Sequence, residues 1–122
     1  MKTNKTIKFK GNELFIKVSK YRSNGNLAIT AYTDEEPYGD ITVNLPGMFL
    51  WDNSGFINSN TKDSGLEKKL FSLGIIEELI NRVQYNYGKY DQVSFNMEKL
   101  KEYDSKGVEE YLASIEDEEE FE

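Results

Sequence analysis

Apolar and polar residues alternate along the first part of the chain in the pattern of β-strands. In the stretch TIKFKGNELFIKV, Ile7 and Phe9 alternate with lysines, and Gly11-Asn12 has the composition of a tight turn. The apolar face continues after this turn at Leu14, Ile16 and Val18. The pattern predicts two antiparallel strands joined by a short hairpin turn.

A second pair of strands is predicted downstream. LAITAYT places Leu27, Ile29 and Ala31 on one face, and DITVNL does the same with Ile41, Val43 and Leu45. Asn24-Gly25 and the acidic segment DEEPYGD are the predicted connectors. Together the four segments predict an antiparallel meander with one apolar and one polar face.

The middle of the chain has less regular patterning. After Pro46-Gly47 we expect a packed loop with one short strand, because glycine, asparagine and serine interrupt the apolar residues. From Leu66 to Val83, apolar residues follow helical spacing, and Ser64 is available as an N-cap. Gly74 interrupts this stripe, so residues 66–84 form either one helix or two elements.

The last third predicts a fifth strand around residues 92–96 and a final helix. Val108, Tyr111, Leu112 and Ile115 share one face of that helix, with Asp104 or Ser105 as its cap. The predicted class is α+β: an antiparallel meander of four to five strands with two or three helices packed on one face. We expect a single domain over residues 1–115 and an acidic C-terminal tail over 116–122.

Composition excludes several functions. The chain has no histidine and no cysteine, which removes the Ser-His-Asp and Cys-His mechanisms and ordinary zinc sites. No glycine pattern matches a phosphate-binding or dinucleotide-binding loop. We therefore expect a protein that is not an enzyme, with no catalytic residue, cofactor or metal. No apolar stretch approaches the length that spans a bilayer, so a cytoplasmic protein is expected.

One acidic cluster has the composition of a metal or catalytic site. Asp34, Glu35, Glu36 and Asp40 have the chemistry to bind a hard cation or to act as paired carboxylates of a hydrolase. A solvated hairpin loop explains the same residues more simply, because nothing in the sequence indicates the burial that raises a catalytic pKa.

Charge is distributed unevenly along the chain. Residues 1–97 carry 12 basic and 11 acidic side chains, whereas residues 98–122 carry 3 basic and 11 acidic ones. In the basic N-terminal hairpin, the candidate nucleic-acid contacts are Lys8, Lys10, Lys17 and Arg22, with Phe15 or Tyr32 as a stacking platform. Lysines that protect a sheet edge are the alternative, and the net charge of −7 argues against direct nucleic-acid binding.

The acidic end has three interpretations. Six of its last seven residues are acidic, which suits a solubilising tail. A helix that rises about 1.5 Å per residue also presents carboxylates at nearly the charge spacing of duplex DNA, about 1.7 Å, and so mimics nucleic acid. In the third interpretation, the acidic end lies over the basic hairpin of its own chain.

The segments NGNLAI, EPYGDITVNL, LGII and KLKEY resemble a small family of uncharacterised proteins encoded by phages, plasmids and conjugative elements of Gram-positive bacteria. The resemblance covers residues 6–104 and implies no catalytic residue. It implies a small acidic protein that inhibits a host defence nuclease, as anti-CRISPR and anti-restriction proteins do, by occupying its basic nucleic-acid-binding surface in the bacterial cytosol.

The expected partner-binding residues are all acidic: Asp34, Glu35, Glu36, Glu109, Glu110, Glu116, Asp117, Glu118, Glu119 and Glu120. The alternative function is a nucleic-acid-binding accessory protein of mobile-element maintenance that uses the basic hairpin. A metal-dependent hydrolase comes third.

Overall fold

The first sheet is the predicted antiparallel meander. The computed structural model describes residues 4–48 and 50–120, with side chains described through Ile115. The strands pair in the order β1-β2-β3-β4. They are β1 (Ile7–Phe9), β2 (Asn12–Lys20), β3 (Leu27–Tyr32) and β4 (Pro37–Asp40). Lys10 and Gly11 both have positive φ, at 48° and 80°, so the first turn lies one residue earlier than predicted.

The strand predicted over residues 41–45 is wrong in its placement. Strand β4 comes instead from the segment predicted as an acidic connector, and β5 (Thr42–Val43) belongs to the second sheet. The Ile41 N–H donates to the Ile29 carbonyl at 2.9 Å, and the Ile29 N–H donates to Thr42 Oγ1 at 3.0 Å. These bonds hold the chain where it passes from one sheet to the other. The alternation is broken there, because Thr42 is buried and Val43 is only half-buried.

The second sheet is also antiparallel, with strand order β5-β6-β8-β7. Its other strands are β6 (Ser54–Ile57), β7 (Ile76–Tyr85) and β8 (Gly88–Phe95). Strand β6 confirms the short strand expected in the packed loop. Strand β8 confirms the strand expected around residues 92–96.

Residues 66–84 form two elements, a helix and a strand. Helix α2 covers Leu66–Ser72, and Gly74 then adopts a φ of 77°, a left-handed conformation that ends the helix. The helical spacing of apolar residues beyond Gly74 is misleading. Residues Ile76–Tyr85 pair with β8, and Ile80 is 37% exposed rather than part of a buried helical face.

Three further helices complete the fold. They are α1 (Ser59–Ser64), which the sequence did not predict, α3 (Met97–Tyr103) and α4 (Ser105–Glu120). Helix α4 confirms the predicted final helix, since Val108 and Tyr111 are buried. Its backbone continues beyond Ile115, so residues 116–120 are helical. The division into a domain over 1–115 and a tail over 116–122 stays a prediction.

A single core joins the sheets and helices. It includes Leu14 and Ile29 of the first sheet, Val93 of the second, and Leu100 and Val108 of the helices. The α+β class is confirmed, with two four-stranded sheets and four helices among the described residues. No helix in the described part of the chain is long and apolar enough to cross a membrane.

Candidate functional site

Strand β2 has one buried and one exposed face. Leu14, Ile16 and Val18 are buried, whereas Phe15 and Lys17 on the opposite face are exposed. The exposed face continues onto β3, because the antiparallel register places cross-strand partners on the same side of the sheet. Two such pairs are Phe15 with Tyr32 and Lys17 with Thr30.

The start of helix α4 is fixed against the outer edge of β2. One oxygen of the Asp104 carboxylate accepts the Val18 N–H at 2.8 Å, and the other accepts the Gly107 N–H at 3.1 Å. The second bond is an N-terminal helix cap. Glycine is required at position 107, because a Cβ there would contact the Asp104 carboxylate and lie 2.5 Å from the Val18 carbonyl oxygen. Asp104 therefore sets where α4 runs along the strand.

An open groove of about 830 Å³ lies between β2 and α4. We call it the β2–α4 groove. Phe15, Lys17, Ser19 and Tyr32 line it from the sheet, and Lys20 and Arg22 line it from the end of β2 and the segment that follows. Lys106, Gly107, Glu110 and Ser114 line it from the helix.

The groove contains positive charge that no described neighbour neutralises. Lys17, Lys20 and Arg22 form no ion pair with any side chain that the structure describes. The described acids of the groove contact groups other than these three cations. Asp104 accepts two backbone hydrogen bonds, and Glu110 Oε1 lies 4.0 Å from Lys106 Nζ. An anionic ligand would therefore meet three cations that have no ion-pair partner among the described side chains.

Phe15 adds an accessible aromatic ring to these charges. Its side chain is 40% exposed, and its cross-strand partner Tyr32 is half-buried. Both side chains line the groove. An aromatic face next to cations suits a ligand that combines negative charge with flat rings.

The sequence is similar to one family of known proteins. The model of a domain of unknown function, DUF4313, matches residues 15–115. The chain belongs to the DUF4313 family. The predicted membership in a family of unknown function is thereby confirmed, and the match continues past Tyr103 into α4, beyond the segment that carried the resemblance. No curated protein and no solved structure matches.

The DUF4313 domain brings two of the four predicted basic residues into the groove, Lys17 and Arg22. Lys8 lies on β1 opposite Glu13, which partly offsets its charge. Lys10 lies in the turn, with its Nζ 5.4 Å from the centre of the Phe9 ring. Neither Lys8 nor Lys10 lines the groove.

Sequence reasoning missed two cations of this groove, Lys20 and Lys106. Lys20 is the last residue of β2, and the alternation of side chains along the strand assigns it to the same face as the buried Leu14, Ile16 and Val18. Lys106 follows the predicted cap of a helix whose remaining charges are mostly acidic. Only the packing of α4 against β2 brings these residues together, and no local pattern in the sequence encodes that contact.

The predicted acidic residues are distributed over two elements. Asp34, Glu35 and Glu36 are exposed in the turn after β3, where Thr33 Oγ1 accepts the Glu36 N–H at 3.1 Å. Glu109 and Glu110 are exposed on α4, and among the predicted acids with described side chains Glu110 alone lines the groove. For residues 116–120 the structure describes the backbone, and their side chains lie outside the described part.

A buried pair of carboxyl groups was not predicted at all. Glu67 on α2 and Asp91 on β8 are 7% and 4% exposed. Lys62 Nζ lies 3.0 Å from Asp91 Oδ2, and Arg82 Nε lies 3.1 Å from Asp91 Oδ1. One oxygen of Glu67, Oε1, has no hydrogen-bond partner among the described residues. The four residues come from four elements, so no spacing in the sequence indicates the cluster.

The two carboxyl groups titrate differently. Burial, followed by the hydrogen bond and the negative charge of Asp91, raises the pKa of Glu67 to about 7. Burial alone would raise the pKa of Asp91, but hydrogen bonds from Glu67 and Lys62 and the charge of Arg82 hold it below its ordinary value. At neutral pH Glu67 is thus partly protonated beside an ionised Asp91.

The sequence offers the acidic side chains of residues 34–40 as metal ligands. Within the described residues, no three acidic side chains stand close enough together to hold a metal ion. The two carboxyl groups of the buried cluster are accompanied by a lysine and an arginine, whose charges oppose a cation.

Proposed function

We propose that this DUF4313 domain binds nucleic acid through the β2–α4 groove. The observation that carries the proposal is that Lys17, Lys20 and Arg22, unpaired among the described side chains, line the same groove as the exposed ring of Phe15. Exposed cations attract a polyanion by releasing its counterions, and the net charge of the whole molecule does not prevent this locally. This was the alternative function expected from the sequence, and the groove now favours it.

The proposed role is binding without catalysis. Among the described side chains, the acids that line the groove are Asp104, held in a backbone cap, and Glu110, held in an ion pair. A general base needs a carboxylate free to accept a proton from substrate. We therefore propose that the groove recognises an anion and does not change it chemically.

A gel-shift titration at low salt tests the proposal. The full chain is compared with Lys17→Ala/Arg22→Ala and with Lys68→Ala/Lys89→Ala, which removes the same charge from exposed lysines outside the groove. The proposal predicts a shift that the first double variant weakens and the second leaves nearly unchanged. Equal weakening of binding by both variants would indicate a general effect of charge and would contradict nucleic-acid binding in the groove.

Inhibition of a host defence nuclease remains the second candidate. It is supported by the continuation of helix α4 through Glu120, because a helix holds successive acidic positions at about 1.5 Å per residue along one rod. The partner would be a basic nucleic-acid-binding protein, such as a CRISPR effector or a restriction enzyme of a bacterial host. The origin of the chain in a mobile element belongs to this proposal as well.

Affinity capture tests this second candidate. Purified CRISPR effectors and restriction enzymes are offered to the full chain, to a chain ending at Ser114, and to a full-length variant with glutamine at positions 116–120. A plaque assay measures defence in parallel. Capture that both altered chains lose supports the candidate, whereas no capture and unchanged defence refute it.

A further inference from the structure

We infer that the β2–α4 groove takes a single strand of nucleic acid, with a base stacked on Phe15 and phosphates along Lys17, Lys20 and Arg22. The inference rests on the proposed function and specifies its ligand.

The aromatic pair is placed for stacking. Phe15 and Tyr32 are directly opposite each other on β2 and β3, so their rings lie on the same side of the sheet. Bases within a duplex hide their faces from such rings, whereas an unpaired base exposes its face. Antiparallel sheets that carry an exposed aromatic residue between basic residues are a general platform for single strands.

The groove has the length for a short single strand. From Phe15 to Lys20 the strand extends about 17 Å at about 3.3 Å per residue. At about 3.4 Å per nucleotide along one strand, this length accommodates about five stacked bases. Lys17 on the exposed face, and Lys20 and Arg22 at the end of β2, supply three cations for the phosphates of such a segment.

Glu110 in the groove and the acidic turn that follows Tyr32 disfavour a second backbone. The turn with Asp34, Glu35 and Glu36 follows Tyr32 directly in the chain, and Glu110 lines the helix side. A duplex would bring another row of phosphates towards these carboxylates. Repulsion between like charges therefore restricts binding to a narrow anion.

No described helix is suited to reading a duplex. Helices α1, α2 and α3 have six or seven residues. Helix α4 is long enough to enter a major groove, but its exposed positions include Glu109 and Glu110, and its last five residues are acidic. Sheet-based binding of a single strand is the arrangement that remains for the described part of the chain.

Fluorescence anisotropy with labelled oligonucleotides tests the inference. The full chain is titrated with a 12-nucleotide single strand and with a duplex of the same sequence. Phe15→Ala and Phe15→Leu remove the aromatic face, and Tyr87→Ala is the matched control, since Tyr87 is fully exposed and lies outside the groove. Circular dichroism confirms that each variant is folded, and a poly-glutamate peptide serves as a competitor.

The expected result is tighter binding of the single strand than of the duplex. Both Phe15 variants are expected to weaken single-strand binding about 5- to 150-fold, while Tyr87→Ala changes it less than about twofold. Equal affinity for both forms together with a neutral Phe15→Ala overturns the inference and leaves the proposed function standing. No binding of either form at low salt overturns the proposed function. Competition by poly-glutamate as strong as that by unlabelled single strand would indicate an acidic protein segment as the occupant and also overturns the inference.

Discussion

The Asp104 carboxylate accepts the Val18 N–H at 2.8 Å, although the two residues are 86 positions apart in sequence. This contact joins the cap of the last helix to the outer edge of a strand in the first sheet. The same carboxylate caps the helix at Gly107. One side chain thus defines the distance between the two sides of the β2–α4 groove.

Replacing Asp104 is expected to destabilise the fold. Asp104→Ala removes a helix cap and leaves the part-buried Val18 N–H without an acceptor, which together cost about 2–4 kcal/mol. Asp104→Asn keeps one accepting oxygen and should cost about 1 kcal/mol. Urea unfolding measures both, with Asp34→Ala in the exposed turn as the control. A loss for Asp104→Ala no larger than that of the control would contradict the role of this contact.

Gly107 is expected to tolerate no side chain. Alanine there gains up to about 1 kcal/mol in helix propensity, but its Cβ must displace the Asp104 carboxylate and the Val18 carbonyl. Overpacking of this kind costs about 1–3 kcal/mol, so we expect net destabilisation. Gly39→Ala is the control, because nothing lies within 4 Å of the Cβ position there. Thermal unfolding in which Gly107→Ala is more stable than the parent would refute the close approach of α4 to β2.

Sequence reasoning succeeded where one face of an element is buried and failed where burial depends on distant partners. The alternation in β2 and the apolar stripe of α4 predicted both elements. Val18 and Val108 are buried at the positions that the strand period and the helix period assign to the core. The apolar stripe through Ile80 left one helix or two elements open for residues 66–84. The second element is a strand, because pairing with β8 overrides a spacing that suits both structures. Of the groove, Phe15, Lys17 and Arg22 were predictable, whereas the contribution of Lys106 arises from tertiary packing.

The buried Glu67 is expected to make stability depend on pH. Its pKa is raised in the folded protein, so the folded state binds the proton more tightly than the unfolded state does. The stabilisation is present in full below about pH 4.5 and is lost as the pH rises through about 7. Urea unfolding between pH 5 and pH 8 should show a fall on the order of 2–3 kcal/mol.

Glu67→Gln is the matched variant for this prediction. The amide of the glutamine can donate to Asp91 at every pH. The free energy of unfolding of the variant should therefore not decrease between pH 5 and pH 8, and the variant should be more stable than the parent at pH 8. The pKa of Asp91 is lowered, so protonation of Asp91 changes the stability only below about pH 4. That pH range lies outside the range in which Glu67 titrates. Parallel pH profiles for parent and variant would show that Glu67 is ionised normally.

Gly74 is expected to be required for the change from helix to strand. Its φ of 77° is strained for any residue with a Cβ, so Gly74→Ala should destabilise the protein by about 1 kcal/mol. The nearest atom to the added Cβ is 3.7 Å away on Lys99, which leaves strain as the main cost. Gly74→Asn should cost less, because asparagine tolerates this conformation. Equal stability of all three proteins would contradict the assigned turn.

The salt dependence of single-strand binding tests the central claim most directly. Affinity is measured across a series of salt concentrations for the parent chain and for Lys17→Ala/Arg22→Ala. Three phosphate contacts predict a slope of log K against log salt of about −2, and the double variant should reduce its magnitude by about 1.4. Absence of binding at the lowest salt concentration, or the same slope in both proteins, would contradict nucleic-acid binding in the β2–α4 groove.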